Sequence, residues 1–108
     1  MIFIFGGAGQ GQEAYAREHY GGNLLYNFHL KVREWMQQGK NPLEETKRVL
    51  KEYPDTVIVS TEIGCGVVPV DSFERAYREE TGRVCCYLAG EAEKVIRVMC
   101  GIAMVIKE

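Results

Sequence analysis

The fold is decided by residues 2–13, which read Ile-Phe-Ile-Phe-Gly-Gly-Ala-Gly-Gln-Gly-Gln-Glu. Four consecutive apolar residues followed by glycines are typical of a strand that is buried on both faces of a parallel sheet. The residues from Gln12 to Tyr20 favour or tolerate a helix, and Gly21-Gly22 ends it. The opening unit is therefore predicted to be a strand, a glycine-rich loop and a helix.

The rest of the chain continues this alternation of strands and helices. Short runs rich in aliphatic and β-branched residues predict further strands at residues 24–26, 56–60, 95–99 and 102–106. Helices are predicted between them, one carrying Val32, Trp35 and Met36 on one face, one starting at Asn41-Pro42 and one starting at Asp71. This order predicts an α/β three-layer sandwich with a mostly parallel sheet. Residues 1–108 are expected to form a single domain.

The composition is that of a soluble globular protein. A hydrophobic content of 46% and a charged content of 26% exclude the disordered and fibrous classes. The net charge is −2 and the basic residues are scattered among Glu, which argues against nucleic-acid binding. The longest apolar runs fall far short of the ~20 residues that a membrane helix needs, and Met1 leads directly into a strand without a signal sequence. We expect a cytoplasmic protein with no nucleic-acid or membrane partner.

The four cysteines, at positions 65, 85, 86 and 100, show neither CxxC spacing nor the density of a disulfide scaffold. Reduced thiols are expected, and no metal site is predicted. The adjacent pair Cys85 and Cys86 leaves open a redox pair or a soft-metal site. Neighbours on a helix, however, point about 100° apart.

The glycine-rich loop has the spacing of a Walker A loop, G-x-x-x-x-G-K-[S/T], in which backbone amides surround phosphates, Lys reaches their oxygens and the hydroxyl binds Mg²⁺. In place of the lysine and hydroxyl stand Gln12 and Glu13. The carboxylate of Glu13 competes with an anion for the positive end of the helix, so nucleotide binding is predicted to be weak. The predicted phosphate-binding residues are Gly6, Gly7, Ala8, Gly9, Gln10, Gly11, Gln12 and Glu13.

Two other interpretations of this loop remain open. In the first, the glycines only make a tight turn that packs the strand against the helix, with Glu13 favouring the helix dipole. In the second, Gly9 to Ala14 has the G-x-G-x-x-A form of a dinucleotide-binding fold. That fold places an acidic residue about 20 residues further on, and residues 25–28 contain none.

A segment in the second half of the chain carries a more specific signal. Residues 57–69, Val-Ile-Val-Ser-Thr-Glu-Ile-Gly-Cys-Gly-Val-Val-Pro, resemble a strand and loop of the bifunctional adenosylcobinamide kinase / adenosylcobinamide-phosphate guanylyltransferase family. The surrounding order is also similar, through Gly6-Gly7-Ala8, Phe73-Glu74-Arg75, Thr81-Gly82-Arg83-Val84 and Val98-Met99-Cys100-Gly101-Ile102. Residues 1–20 and 54–108 carry the resemblance, whereas residues 24–53 fit loosely. It implies a RecA-like P-loop NTPase fold, reduced in size.

Members of that family phosphorylate adenosylcobinamide and then transfer GMP from GTP through a guanylylated histidine. The resemblance therefore implies GTP or ATP with Mg²⁺, here bound weakly, a nucleotide or corrinoid ligand, and a homo-oligomer. The chain departs from the family pattern at Asn27, near the position of a magnesium-organising Asp. The region of the guanylylated histidine is missing before Leu24, and His29, beyond that gap, is interpreted as a helix-start or core residue.

Glu62 is the candidate catalytic residue, because it follows a buried strand into a glycine-rich loop, where α/β sheets place functional side chains. The alternative is that its carboxylate caps the amides of that loop. Cys85 and Cys86 stand where the family has polar residues, which is interpreted as a polar site turned into core. Only Arg17 lies near Gly11 to replace the missing lysine. The sequence predicts a catalytically impaired cobinamide kinase/guanylyltransferase-like protein, or a non-catalytic binding, regulatory or assembly module on the same fold.

Overall fold

The computed structural model describes residues 1–63 and 70–108. Over these residues strands and helices alternate in the predicted order, and the strand ends agree with the sequence prediction to within one residue. The strands are β1 (Ile2–Gly6), β2 (Leu24–Leu25), β3 (Val57–Thr61), β4 (Lys94–Met99) and β5 (Ile102–Lys107). The helices are α1 (Gln12–His19), α2 (Phe28–Gln37), α3 (Pro42–Glu52) and α4 (Ser72–Glu91).

The five strands form one sheet in the order β2-β3-β1-β4-β5. The first four strands in this order are parallel, and β5 returns antiparallel to β4. Helix α1 covers one face of the sheet, and α2 and α4 cover the other. Helix α3 packs against α2 and α4. The predicted α/β sandwich with a mostly parallel sheet is confirmed. The carboxyl ends of β1, β2 and β3 meet at one edge of the sheet, next to the glycine-rich loop.

Each face of the sheet has its own hydrophobic core, because successive side chains of a strand point to opposite faces. The core under α2 and α4 contains Phe3, Phe28, Val32, Trp35, Ile58, Tyr77, Val84, Leu88, Ala92 and Val95. The core under α1 contains Ile4, Ala16, Val57, Val59, Ile96 and Val98. This alternation decides which face receives each side chain at the carboxyl end of a strand.

Helix α3 begins as the sequence predicts. The Asn41 side-chain oxygen accepts hydrogen bonds from the backbone amides of Leu43 at 3.0 Å and Glu44 at 3.2 Å. Pro42 occupies the first helical position, where its missing N–H costs no hydrogen bond. The cap therefore satisfies two of the amides that a helix leaves unpaired at its start.

Replacing Asn41 with Ala removes this cap and is expected to lower the free energy of unfolding by about 1 kcal/mol. Urea denaturation followed by circular dichroism measures the change. Asn41→Asp is the matched control, because its carboxylate keeps the acceptor, and it should retain nearly the full stability. Equal losses in both variants would contradict a role for the cap.

Candidate functional site

The glycine-rich loop follows β1 and owes its shape to two glycines. At Gly6, a Cβ atom would lie 2.5 Å from the carbonyl oxygen of Val98 in the neighbouring strand β4. At Gly11, the N-cap of α1, the backbone has φ +96°, a conformation that a side chain disfavours. Both glycines are thus required by packing and backbone conformation alone.

Gln10 ties the loop to the turn between β4 and β5. Its side-chain oxygen accepts a hydrogen bond of 2.7 Å from the backbone amide of Cys100. Its carbonyl oxygen accepts a second bond, of 2.8 Å, from the amide of Gly101. Two neighbouring amides of the turn therefore bind the same loop residue, and the loop is held from the β4 side.

Gln12, at the position of the Walker A lysine, folds under the loop instead of reaching outward. Its Nε2 donates to the carbonyl oxygens of Gly6 at 3.2 Å and Gly7 at 3.1 Å, and to the Thr61 hydroxyl at 3.1 Å. The residue is only 6% exposed, and its Oε1 has no hydrogen-bond partner among the described residues. The amide therefore cross-links β1, the loop and β3.

A cleft of about 240 Å³ opens beside this cross-link, at the carboxyl ends of the strands. Its described lining is Gly9, Gly11, Gln12, Glu13, Asn27, Val59, Ser60 and Thr61. The only charged side chain in that lining is the carboxylate of Glu13. Asn27, which starts α2 with φ 54°, brings an amide to the position where the family resemblance expects a magnesium-organising carboxylate.

The nearest compensating cation that the sequence offered, Arg17, is already paired. Its guanidinium lies 2.8 Å from the Glu13 carboxylate, one helical turn away, and 5.7 Å from the centre of the Tyr26 ring. Both members of the pair are about half exposed, so their interaction is worth less than about 1 kcal/mol. The pairing nevertheless leaves the cleft without a dedicated positive charge in its described lining.

Glu62, the candidate catalytic residue, does not line this cleft. Its backbone amide donates a 2.8 Å hydrogen bond to the Gly6 carbonyl, which extends the pairing of β1 and β3 by one residue. Its carboxylate lies 3.5 Å from the Arg97 guanidinium, on the face of the sheet that α4 covers. The side chain of Glu62 therefore lies on the opposite face of the sheet from Gln12 and the cleft. Its suggested role as a cap of residues 64–69 lies outside the described residues.

Neither histidine lies in the cleft lining. The Nδ1 of His29 accepts a long hydrogen bond of 3.4 Å from the Thr61 amide, and burial lowers the pKa of this side chain. Its carbonyl oxygen accepts a hydrogen bond from the Tyr77 hydroxyl at 2.8 Å, so His29 fastens the start of α2 to β3 and α4. His19 is exposed at the end of α1, with Nδ1 3.0 Å from the carbonyl oxygen of Tyr15.

The cysteines that the structure describes are free thiols. Cys85 is half-buried, and burial is the main cause that raises its pKa to about 11. Cys86 is exposed, so the interpretation of both residues as core is wrong for Cys86. Within residues 1–63 and 70–108, no group of His, Cys, Asp and Glu is arranged to hold a metal ion. No helix there has the length and hydropathy to cross a membrane.

Two contacts that shape the loop were not predicted from the sequence: that of Thr61 with Gln12, and that of Gln10, a predicted phosphate-binding residue, with the amide of Cys100. Thr61 is the last residue of β3, one position beyond the predicted end of that strand, and its hydroxyl meets Gln12. Extending the predicted strand by one residue would have put Thr61 at the carboxyl end of β3, beside the loop. For Gln10, whose partners lie 90 residues away in the chain, the sequence holds no comparable signal.

The sequence matches the model of a known protein family. The family of cobinamide kinase / cobinamide phosphate guanyltransferase matches residues 20–106. The chain belongs to this family. Membership supports a place in cobalamin biosynthesis and agrees with the P-loop α/β fold. The matched stretch includes residues 24–53, which the sequence analysis fitted loosely, and begins beyond the glycine loop. A search of curated proteins returned no match.

Replacing Gln12 with Ala leaves two carbonyls and one hydroxyl without their shared donor. We expect the free energy of unfolding to fall by about 1–3 kcal/mol, the cost of buried polar groups that lose a partner. Chemical denaturation measures the loss. Gln37→Ala, on the exposed face of α2, is the matched control and should stay within about 0.5 kcal/mol of the wild type. A loss at position 12 no larger than the control's would show that the cross-link contributes nothing.

Proposed function

We propose that this protein is an adenosylcobinamide kinase/guanylyltransferase-like member of its family, a single cytoplasmic domain whose phosphate loop no longer supports phosphate transfer. The observation that carries the proposal is the side chain of Gln12. It is a neutral amide, 6% exposed, whose Nε2 already donates hydrogen bonds to the carbonyl oxygens of Gly6 and Gly7 and to the Thr61 hydroxyl. A group held in this way offers neither charge nor reach to a phosphate.

The charges of the cleft also disfavour the binding of a nucleotide. A nucleoside triphosphate needs cations around its outer phosphates, because the transfer step develops negative charge there. The described lining offers the carboxylate of Glu13 instead, placed at the helix N-terminus where an anion would bind. At position 27, where the family resemblance expects a magnesium-organising carboxylate, the uncharged amide of Asn27 lines the cleft. Nucleotide affinity is therefore low and catalysis is impaired.

Calorimetric titration with GTP and with ATP, each with Mg²⁺, tests this proposal. The wild-type protein is expected to bind both more weakly than ~100 μM, about −5.5 kcal/mol, and to transfer no phosphate to cobinamide. The double variant Gln12→Lys/Glu13→Thr restores the Walker A lysine and hydroxyl, so we expect its affinity to rise at least about tenfold.

The matched control is Glu34→Thr/Gln37→Lys, which makes the same change of charge on the exposed side of α2. It should bind nucleotide no better than the wild type. Wild-type binding tighter than ~100 μM would overturn the proposal, because the loop would then work despite its substitutions. An equal gain in nucleotide affinity in the restored and the control variant would show that the change in net charge, and not the Walker A residues, causes the effect.

A second candidate function, assembly of copies of this chain, is favoured by the edge strand β5. Among the described residues, five of the eight exposed large hydrophobic side chains lie between Met99 and Ile106. The strand register places Ile102 opposite Met99 and Met104 opposite Arg97, which puts Met99, Ile102 and Met104 on one face. Val105, 47% exposed, lies on the other face. β5 is thus apolar on both faces at an open edge of the sheet.

The usual protection of such an edge is a lysine that points outward. Here Lys107 folds back, and its Nζ donates to the carbonyl oxygens of Ala89 and Gly90 at the end of α4, at 2.9 and 3.0 Å. A two-fold axis brings β5 antiparallel to itself, so a second copy is the occupant that satisfies both its main-chain edge and its apolar faces. Each copy offers on the order of a few hundred Å² of apolar surface, the size of a patch that marks interaction sites.

Sedimentation equilibrium tests this assembly. We expect a reversible dimer in the wild type, and at least a tenfold larger dissociation constant in Ile102→Lys, because the substitution buries a charge in the apolar interface. Leu30→Lys adds the same charge at a half-exposed position on α2 and should leave the dimer unchanged. A wild-type protein that stays monomeric, or an Ile102→Lys variant that dimerises equally well, would contradict the assembly.

A further inference from the structure

A second cavity, of about 220 Å³, lies on the opposite face of the sheet from the glycine loop. It lies between the strands and α4, is partly open to solvent, and has mostly apolar walls. Its apolar lining includes Phe3, Phe5, Ala89, Val95 and Ile106, with the half-buried thiol of Cys85 beside them. Burial and the neighbouring Cys86 and Glu62 raise the pKa of Cys85, so its thiol stays protonated near neutral pH.

Ser60 gives this cavity a polar group without a partner. The residue is 2% exposed, and its Oγ has no hydrogen-bond partner among the described residues. It pairs with Phe5 across the β1–β3 ladder and shares the face of Ile58, so its hydroxyl points to the side of the sheet where the cavity lies. A buried hydroxyl without a partner is costly, and a ligand in the cavity can supply the missing hydrogen bond.

The charge at this cavity selects against anions. Glu62 is the only charged side chain in the described lining, and its carboxylate accepts hydrogen bonds only. Arg97 contacts that carboxylate at 3.5 Å and is 39% exposed, so part of its charge is screened by water. A ligand group next to Ser60 and Glu62 must therefore donate a hydrogen bond without bringing a negative charge.

We propose that this cavity binds a small neutral alcohol with an aromatic or branched aliphatic body. An apolar protein cavity of about 150 Å³ holds benzene, so 220 Å³ has room for such a ring and a short hydroxyl-bearing group. The body fills the space between Phe3, Val95 and Ala89, and the hydroxyl bonds Ser60 and Glu62. The two linings share Ser60 and Thr61, but Gln12 and Glu13 line only the cleft and Glu62 lines only this cavity, so the proposal does not depend on nucleotide binding.

Methyl-selective NMR titration of the full chain tests the site with three probes of one shape. Benzyl alcohol should shift the methyl signals of Val95 and Ile106 saturably. Toluene, which lacks the hydroxyl, should bind about fivefold more weakly, the discrimination of one net hydrogen bond. Benzoate should give no saturable shift, because its carboxylate meets Glu62.

Two variants test whether the probes bind in this cavity. Ser60→Ala removes only the unpartnered hydroxyl, so the protein should stay folded while its preference for benzyl alcohol over toluene falls below about twofold. Ala89→Leu fills the cavity and should abolish the shifts with both probes. Equal affinity for benzyl alcohol and toluene in the wild type would overturn the proposal, as would an absence of saturable shifts. Undiminished binding in a folded Ala89→Leu protein would place the probe elsewhere. If that variant does not fold, the Ser60→Ala comparison alone decides.

Discussion

The structure of the site depends on the hydrogen bonds of one amide, the Nε2 of Gln12. The carbonyl oxygens that it reaches belong to the end of β1 and the start of the loop, and the hydroxyl that it reaches belongs to the end of β3. These contacts draw three segments together at the sheet edge where a P-loop fold holds phosphate. Because the Nε2 donates to the protein itself, these contacts hold the side chain under the loop and oppose the outward position that a phosphate would require.

The second constraint is the alternation of side chains at the end of β3. Thr61 points to the α1 face and meets Gln12, whereas Ser60 and Glu62 point to the α4 face and line the second cavity. Thr61 and Glu62 therefore present their side chains to opposite faces of the sheet, and Glu62 does not line the cleft beside the glycine loop. This explains why the residue that the sequence favoured for catalysis stands beside Arg97 and an apolar cavity instead of the phosphate cleft.

Local sequence signals predicted the elements well, because strands, caps and glycine turns depend on neighbours in the chain. The start of α3 at Asn41-Pro42 and the strand before the glycine loop are examples. The contacts of the Gln12 amide and of the Glu62 carboxylate depend on residues more than 30 positions away, Thr61 and Arg97. The sequence alone holds no signal for those distances.

The glycines of the loop do not by themselves argue for phosphate binding. Gly6 is required because a Cβ would collide with the Val98 carbonyl, and Gly11 because α1 starts from a left-handed residue. Both requirements come from packing β1 against β4 and from turning into α1, so neither depends on a lysine or a hydroxyl after the loop. The fold therefore requires these glycines even though Gln12 stands where a Walker A loop has its lysine. In this chain the glycine spacing of the loop follows from the architecture, and the proposed loss of phosphate chemistry rests on positions 12 and 13.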